Sequence, residues 1–271
     1  MPLSVCATPI GNLEDVTLRV LRELAEAEVI LCEDTRHTRG LLQRHGITAR
    51  LVSYHEHNEA ARTSELLPQL EDGKRVALVS DAGLPSISDP GARLVSAALE
   101  AGVPVSVLPG PSAVETALVA SGFAADRYQF VGFLPRKARE LEALWGELAH
   151  WRHALVAFES PQRLSKSLAG LAVALPDRPV AVCRELTKRF EEVVRGPAAE
   201  VAGRLCDGVK GEITLVIGPG GPTGAEVEEA SARALEAVAE LVAGGLARRS
   251  ASEVVSRLTG VSRNRLYRAS L

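Results

Sequence analysis

"VSDAGLPSISDPG", residues 79–91, decides how this chain is built. The run leading into it, residues 75–79, is rich in β-formers, and the prolines and glycines that follow forbid the strand to continue. The segment is therefore a loop. Asp89 and Pro90 read as an N-cap and first helical position, opening a helix over 91–101 that Gly102 closes. Open α/β sheets hold their ligands at strand–loop–helix joints of this kind.

Working outward, strand-like runs at 3–7, 29–32, 50–54, 75–79 and 103–108 alternate with helical runs at 14–27, 36–44, 59–70, 91–101 and 112–121. That alternation predicts a largely parallel sheet covered by helices. Within 14–27 the apolar residues Val16, Val20, Leu21 and Leu24 recur at helical steps, with charges on the other face. After Phe123 the rhythm changes. Strands are expected at 129–133, 154–158, 180–184, 191–195 and 212–217, and helices at 138–149, 162–175 and 198–206. The neighbouring strands 180–184 and 191–195 predict an antiparallel hairpin, so strand directions in this part are mixed. The expected organisation is an α/β domain over 1–120, a second over 121–220, and a small helical extension over 225–271. "GPGGPTG", 218–224, is the connector. In the extension, "LTGVS", 258–262, separates two short helices, with Gly260 suited to the turn and Ser262 to an N-cap.

Of the 271 residues 46% are hydrophobic and 24% charged, the balance of a globular chain with a substantial core. Aromatics reach only 4%, so Val, Leu, Ala and Ile must fill that core, and extensive stacking of nucleobases is not expected. The opening "MPLSVCATPIG" has no leader pattern and no apolar run approaches a membrane span, which predicts a cytoplasmic protein without a membrane partner. Cys6, Cys32, Cys183 and Cys206 lie far apart with no C-x-x-C pair and read as reduced structural thiols. A net charge of −3 supplies no general attraction to nucleic acid. The exception is local: residues 246–271 carry six arginines against the single acid Glu253.

Asp81 and Asp89 within the 79–91 loop would repel a polyphosphate, no G-x-x-x-x-G-K-[ST] occurs, and "GPGGPTG" misses the dinucleotide fingerprint. The next joint, "VLPGPSAVETA" at 107–117, ends a strand in Pro109-Gly110-Pro111 and offers Ser112 to start a helix. Together the two loops provide close backbone approach at Gly83 and Gly110, hydroxyls on Ser86 and Ser112, and the acid Asp81. S-adenosylmethionine, with an amine, a sulfonium and an adenosine, suits that set. The same residue types also serve any turn.

Ordered motifs carry the reading further: "ATPIGNLED" (7–15), "EDTR" (33–36), "SYHEHNE" (53–59), "LVSDAGLPSISDPG" (78–91), "LPGPSA" (108–113), "GFLPRK" (132–137), "ESPQR" (159–163), "RELTKRFEE" (184–192) and "GEITLVIG" (211–218). With these the chain resembles the tetrapyrrole-methylase superfamily and, within it, the ribosomal RNA small subunit methyltransferase I branch. The resemblance implies two α/β domains with S-adenosylmethionine in the cleft between them, commonly as a homodimer. It also implies 2′-O-methylation of a cytidine ribose in the decoding region of 16S RNA, free or in the 30S particle, without a metal. The donor site would fall on Pro9, Asp81, Ala82, Gly83, Ile87, Ser112 and Ala113, with Pro109 and Gly110 shaping the second loop. Leu84 stands where the branch usually has Thr, and Gln162 replaces a frequent His.

Methyl transfer to a hydroxyl is an in-line displacement that needs alignment and an acceptor for the hydroxyl proton. His55, then Glu185, then Glu33 are the candidate bases. Were 53–57 extended, His55 and His57 would share a face; the cluster lacks zinc-ligand spacing. Arg36 either pairs with Asp34 or grips an RNA phosphate. Arg184 and Lys188 are set beside Glu185, Lys188 to hold phosphate or lower the hydroxyl pKa, unless the run is merely solvated. On the substrate side stand Arg36, His57 and Arg184. Two other readings compete. A methylase of a small tetrapyrrole would need a deep apolar trough, against the polarity of "SYHEHNE" and "RELTKRFEE". A non-catalytic nucleic-acid-binding protein could use 252–270, which has the size of a helix-turn-helix half, yet leaves the loop motifs unexplained.

Overall fold

The computed structural model describes residues 1–124, 126–221 and 224–270. They form two compact units, Met1–Gly220 and Gly221–Leu271.

The first unit begins with β1 (Leu3–Cys6), α1 (Leu18–Glu26), β2 (Val29–Cys32), α2 (Thr35–Arg44), β3 (Leu51–Ser53), α3 (Glu59–Glu71), β4 (Val76–Leu78), α4 (Ala92–Glu100) and β5 (Val105–Leu108). The five strands make one parallel sheet in the order β3-β2-β4-β1-β5. Every residue of β1, β2 and β4 is buried, as their unbroken apolar runs require of strands covered on both faces. β1 leads away to β2 on one side while its neighbour β4 leads to β5 on the other. The loops after β1 and β4 therefore flank the crevice at the topological switch point.

The helix expected over 14–27 is shorter. A single 3₁₀ turn at Leu13–Asp15 follows Asn12, Val16 is extended, and Thr17 Oγ1 accepts the Val20 N–H at 3.2 Å to cap a helix that starts only at Leu18. Polar side chains competing for backbone N–H groups split the segment, although its apolar spacing is helical.

Helix α5 (Ala113–Ser121) joins this sheet to the next. Its Val114, Ala117 and Leu118 pack with Val156, Ala181, Cys183 and Val216. Those residues belong to a second sheet built from β6 (Tyr128–Phe133), β7 (Ala154–Glu159), β8 (Pro179–Arg184), β9 (Glu192–Pro197) and β10 (Ile213–Ile217), in the order β6-β7-β10-β8-β9. β6 and β7 are parallel; the remaining pairs are antiparallel, and β8–β9 is the expected hairpin. Helices α6 (Ala138–Ala149), α7 (Pro161–Ala174) and α8 (Ala198–Arg204) supply Trp145, Leu148, Leu164, Leu168, Leu171 and Val201 to the sheet's other face. Burial of each such aliphatic side chain contributes about 1.5–3 kcal/mol.

The second unit holds α9 (Gly224–Ala243), α10 (Arg248–Thr259) and α11 (Arg263–Ala269) around Ala234, Val238, Ala251, Val255 and Leu266. Gly260 closes α10 in the left-handed conformation, φ 73°, as the sequence predicts, and Ser262 holds the N-cap position of α11 although its side chain makes no capping hydrogen bond. Residues 222 and 223 of the expected connector lie outside the described residues. Among the described residues no helix is long and apolar enough to cross a membrane.

Candidate active site

The loop after β4 is zipped to the loop after β1. Thr8 N–H donates to the Gly83 carbonyl at 2.8 Å, Gly83 N–H returns to the Thr8 carbonyl at 3.1 Å, and the Thr8 hydroxyl donates to the Ser80 carbonyl at 3.0 Å. The expected N-cap at Asp89 is not there. Helix α4 starts at Ala92, and the capping position is Gly91, with φ 139° and no side-chain cap. A Cβ on Gly91 would stand 2.7 Å from Ser86 Oγ and 2.9 Å from Leu78 Cδ2, so the loop folds back over a residue that must be glycine. Ser86 and Ser88 both take left-handed backbone, φ 73° and 63°. Such conformations cost about 1–3 kcal/mol each and persist where surrounding structure enforces them. Asp89, released from capping, lines a cleft instead.

That cleft, about 400 Å³, lies between the two sheets. Asp81, Ala82, Gly83, Ile87, Ser112 and Ala113 line one side, and Phe133, Phe158, Glu159, Leu186 and Glu212 the other. Pro9 shares a small adjoining recess with Thr8, His37 and Asp81. Pro109 and Gly110 are exposed and outside the lining, although Gly110 sits so close to Ala7 that a Cβ would come within 2.9 Å of that side chain. Ser112 precedes α5 without capping it; its hydroxyl donates to Glu115.

Negative charge collects at the carboxyl ends of β2 and β4. The Asp34 N–H donates to Asp81 Oδ1 at 3.1 Å. Burial and then the charge of Asp81 raise the Glu33 carboxyl above its ordinary range. Asp89 is pushed up to about 6 by burial first, then by Glu33 and Asp81, with the Ser80 hydroxyl opposing the shift. Asp34 behaves oppositely: the Arg36 side chain and backbone N–H hold it well below the usual carboxylate range. A site that crowds carboxylates until their pKa values rise favours a cation and disfavours a phosphate.

Residues 53–57 are not one extended run. β3 stops at Ser53, and Asn58 closes a turn by accepting the His55 N–H at 2.8 Å while donating to the Ser53 carbonyl at 3.2 Å. This Asn-mediated turn supplies partners the ladder would otherwise give. His55 and His57 still approach edge to face, ring centroids 5.9 Å apart. His55 acts electrostatically on Glu33, yet neither histidine lines the cleft. Among the described residues no group of three His, Cys, Asp or Glu side chains could hold a metal ion.

In 184–192 the loop after β8 is braced. Glu185 Oε1 accepts the Glu212 N–H at 2.9 Å and Lys188 Nζ at 3.0 Å, and Lys188 also meets Glu212 Oε2 at 3.0 Å. The Glu212 N–H and then Lys188 lower the Glu185 pKa, while the two carboxylates raise that of Lys188 against the effect of its burial. Arg184 pairs with Glu192 at 2.9 Å, and Arg36, 86% exposed, with Asp34 at 2.7 Å. Thr187 Oγ1 accepts the Asn12 N–H at 3.0 Å, pinning this loop to the one after β1. Glu33, Arg36, Arg184, Glu185 and Lys188 are not among the residues that line the cleft. Sequence reasoning missed Asp89 as a cleft residue because its Pro neighbour mimics a helix start. It also missed Phe133, 60% exposed in "GFLPRK", for which an apolar ring beside a glycine was the available signal.

The sequence profile described as Tetrapyrrole (Corrin/Porphyrin) Methylases matches residues 2–202. The chain belongs to this methylase family. A relative from Micromonospora olivasterospora named "Ribosomal RNA small subunit methyltransferase I" is 46% identical, over 98% of this chain and 85% of its own. One of the same name from Halalkalibacterium halodurans is 41% identical, over 98% and 93%. Among solved structures, the uroporphyrin-III C-methyltransferase from Thermus thermophilus complexed with S-adenyl homocysteine aligns with a TM-score of 0.56 at 22% identity, covering 80% of this methylase chain and 96% of its own. That likeness shows the two-layered α/β methylase fold and nothing finer.

Proposed function

We propose that the protein transfers a methyl group from S-adenosylmethionine to a ribose 2′-hydroxyl of a cytidine in the decoding region of small-subunit ribosomal RNA. The observation that carries the donor assignment is the acid-bearing cleft at the switch point, lined by Asp81–Gly83 on one loop and Ser112–Ala113 on the next. Asp81 faces the donor's ammonium, the glycine-bearing loops approach its ribose, and the apolar wall of Phe158 and Leu186 covers adenine. Pro9, Ile87, Pro109 and Gly110 shape this site. The relatives' shared name supports ribosomal RNA as the acceptor, and a cleft of about 400 Å³ suits a donor more than a donor with a whole tetrapyrrole. S-adenosylmethionine supplies the electrophilic methyl; no metal enters the reaction.

The work of the chain is placement and water exclusion. Glu185 and Lys188 brace the loop that closes the cleft rather than meet the reacting atoms. Arg36, His57 and Arg184 lie toward the RNA backbone, with His55 and Glu33 behind them. Phe133 offers one stacking face for an unstacked base. Arg249, Arg257, Arg263, Arg265 and Arg268, all exposed, add phosphate contacts from the helical extension. Residues 1–120 and 121–220 act as the two domains flanking the cleft, and the working form is a homodimer.

Purified protein incubated with labelled donor and small-subunit RNA, free or in particles, followed by nucleoside analysis, tests this directly. A labelled 2′-O-methylcytidine is expected. Label on a nucleobase, with ribose oxygens untouched, rejects the acceptor.

A further inference from the structure

We infer that Asp89 is the catalytic proton acceptor for the hydroxyl nucleophile, an inference that rests on the methyl-transfer reading above. Four features of the structure converge on this residue. It lines the same cleft as Asp81, Gly83, Ser112 and Ala113. The backbone around it is forced, with Ser86 and Ser88 left-handed and Gly91 packed against Ser86, so its position is fixed by the fold-back of the loop rather than by capping α4. The charged groups that act on it are acidic, Glu33 from the end of β2 and Asp81 on its own loop, with Glu56 and His55 in turn acting on Glu33, and its polar partner is the Ser80 hydroxyl. Across the cleft stand Glu159 and Glu212. Glu159 is occupied by Ser167 at 2.6 Å, the Ser160 N–H at 2.8 Å and Arg163, and Glu212 pairs with Lys188.

The division of labour follows from those partners. Asp81 accepts the Asp34 N–H and is assigned to the donor's ammonium. Glu185 is engaged twice over, and His55 and Glu33 do not reach the lining. Asp89 is a carboxylate at neutral pH, yet burial and its acidic neighbours make it a stronger base than an ordinary aspartate, titrating at about 6, near the optimum for a general base working close to pH 7. In the step, the hydroxyl proton passes to an Asp89 carboxylate oxygen as the hydroxyl oxygen forms a bond to the methyl carbon. The carbon–sulfur bond breaks with its electron pair going to sulfur, so carboxylate, sulfonium and hydroxyl become carboxylic acid, thioether and methyl ether. Asp89 then returns its proton to solvent.

The test compares the full-length wild type with Asp89→Asn and Asp89→Glu. Donor affinity is read by calorimetry with S-adenosylhomocysteine, and single-turnover methyl transfer from labelled donor to small-subunit particles is followed from pH 5 to 9. Asp89→Asn is expected to bind the donor product within about twofold of wild type and to lose about 10²–10⁴-fold in transfer rate. The ascending limb of the wild-type pH profile disappears in its residual activity, and Asp89→Glu recovers part of the rate. An Asp89→Asn rate within about fivefold of wild type overturns the inference, as does a loss of donor affinity that accounts for the loss of rate. A wild type that binds donor but methylates no particle overturns the acceptor reading and this role with it, whereas an active wild type with an indifferent Asp89→Asn removes Asp89 alone.

Discussion

The main-chain N–H of Asp34 donates to Oδ1 of Asp81 at 3.1 Å, tying the end of β2 to the loop after β4. The contact fixes a carboxylate that borders both the cleft and the small recess beside it. Asp81→Ala is therefore expected to weaken donor binding tenfold or more, since a charge-assisted hydrogen bond is worth about 1.5–3 kcal/mol. Asp81→Asn keeps an acceptor for Asp34 while removing the charge. Calorimetry on both variants separates the electrostatic share from the structural one; unchanged affinity in each excludes Asp81 from the donor site.

Asp89 links activity to stability. A carboxyl whose pKa is higher in the folded than in the unfolded chain favours folding while protonated. That advantage is complete below the unfolded value of about 4 and is lost as pH rises through about 6. The shift alone would correspond to roughly 3 kcal/mol, which solvent screening of this partly exposed carboxyl reduces to on the order of 2 kcal/mol lost between those values. Asp89→Asn should flatten that part of the urea-denaturation profile and be more stable than wild type at pH 7.5. A variant with the wild-type pH dependence rules out the shifted pKa.

Gly11 lies where the two loops that Asn12 and Thr187 join leave no room for a side chain. A Cβ there would lie 2.7 Å from Thr187 Oγ1 and 2.8 Å from the Leu186 carbonyl oxygen. Gly11→Ala must push the loops apart, at about 1–3 kcal/mol for overpacking. Because Leu186 also lines the cleft, donor affinity should fall several-fold alongside the thermal midpoint. Wild-type values of both would show that the approach is not tight in solution.

Phe133 meets Phe158 edge to face at 5.6 Å while remaining 60% exposed. Phe133→Ala should leave stability nearly untouched and raise the KM for the RNA particle, stacking being worth about 1–3 kcal/mol per base. Donor affinity serves as the internal control.

Charge reversal at Arg263 and Arg265, both exposed on α11, should weaken RNA binding and lessen its salt dependence, without changing the fold of the first unit. Binding isotherms at several salt concentrations check this; an unchanged slope removes the extension from the RNA surface.

The order of strands and helices was legible because burial writes it into composition: the apolar runs of β1, β2 and β4 read as covered strands, and α6 spans the expected residues 138–149. Side-chain competition was harder to read. Thr17 cuts the helix of 14–27, Asn58 turns 55–58 out of the strand, and Gly91 takes the place Asp89 was expected to fill. In each case a local hydrogen bond or a backbone dihedral decides between conformations that differ by about 1 kcal/mol. That 79–91 and 107–112 run as loops between strand and helix could be read from their turn chemistry. Phe133 and Leu186 could not, because only the mutual placement of the two sheets brings them to one cleft.

Strand β1 takes its partners from β4 and β5, at residues 76–78 and 105–108. During synthesis the earliest segment of this sheet must therefore wait, unpaired, until residues 76–78 have emerged, and stays open on one flank until residues 105–108 follow, whereas β8 and β9 meet as soon as they are made. A nascent chain arrested before residue 105 leaves one flank of β1 open, making that length the window in which chaperone capture or mispairing is greatest.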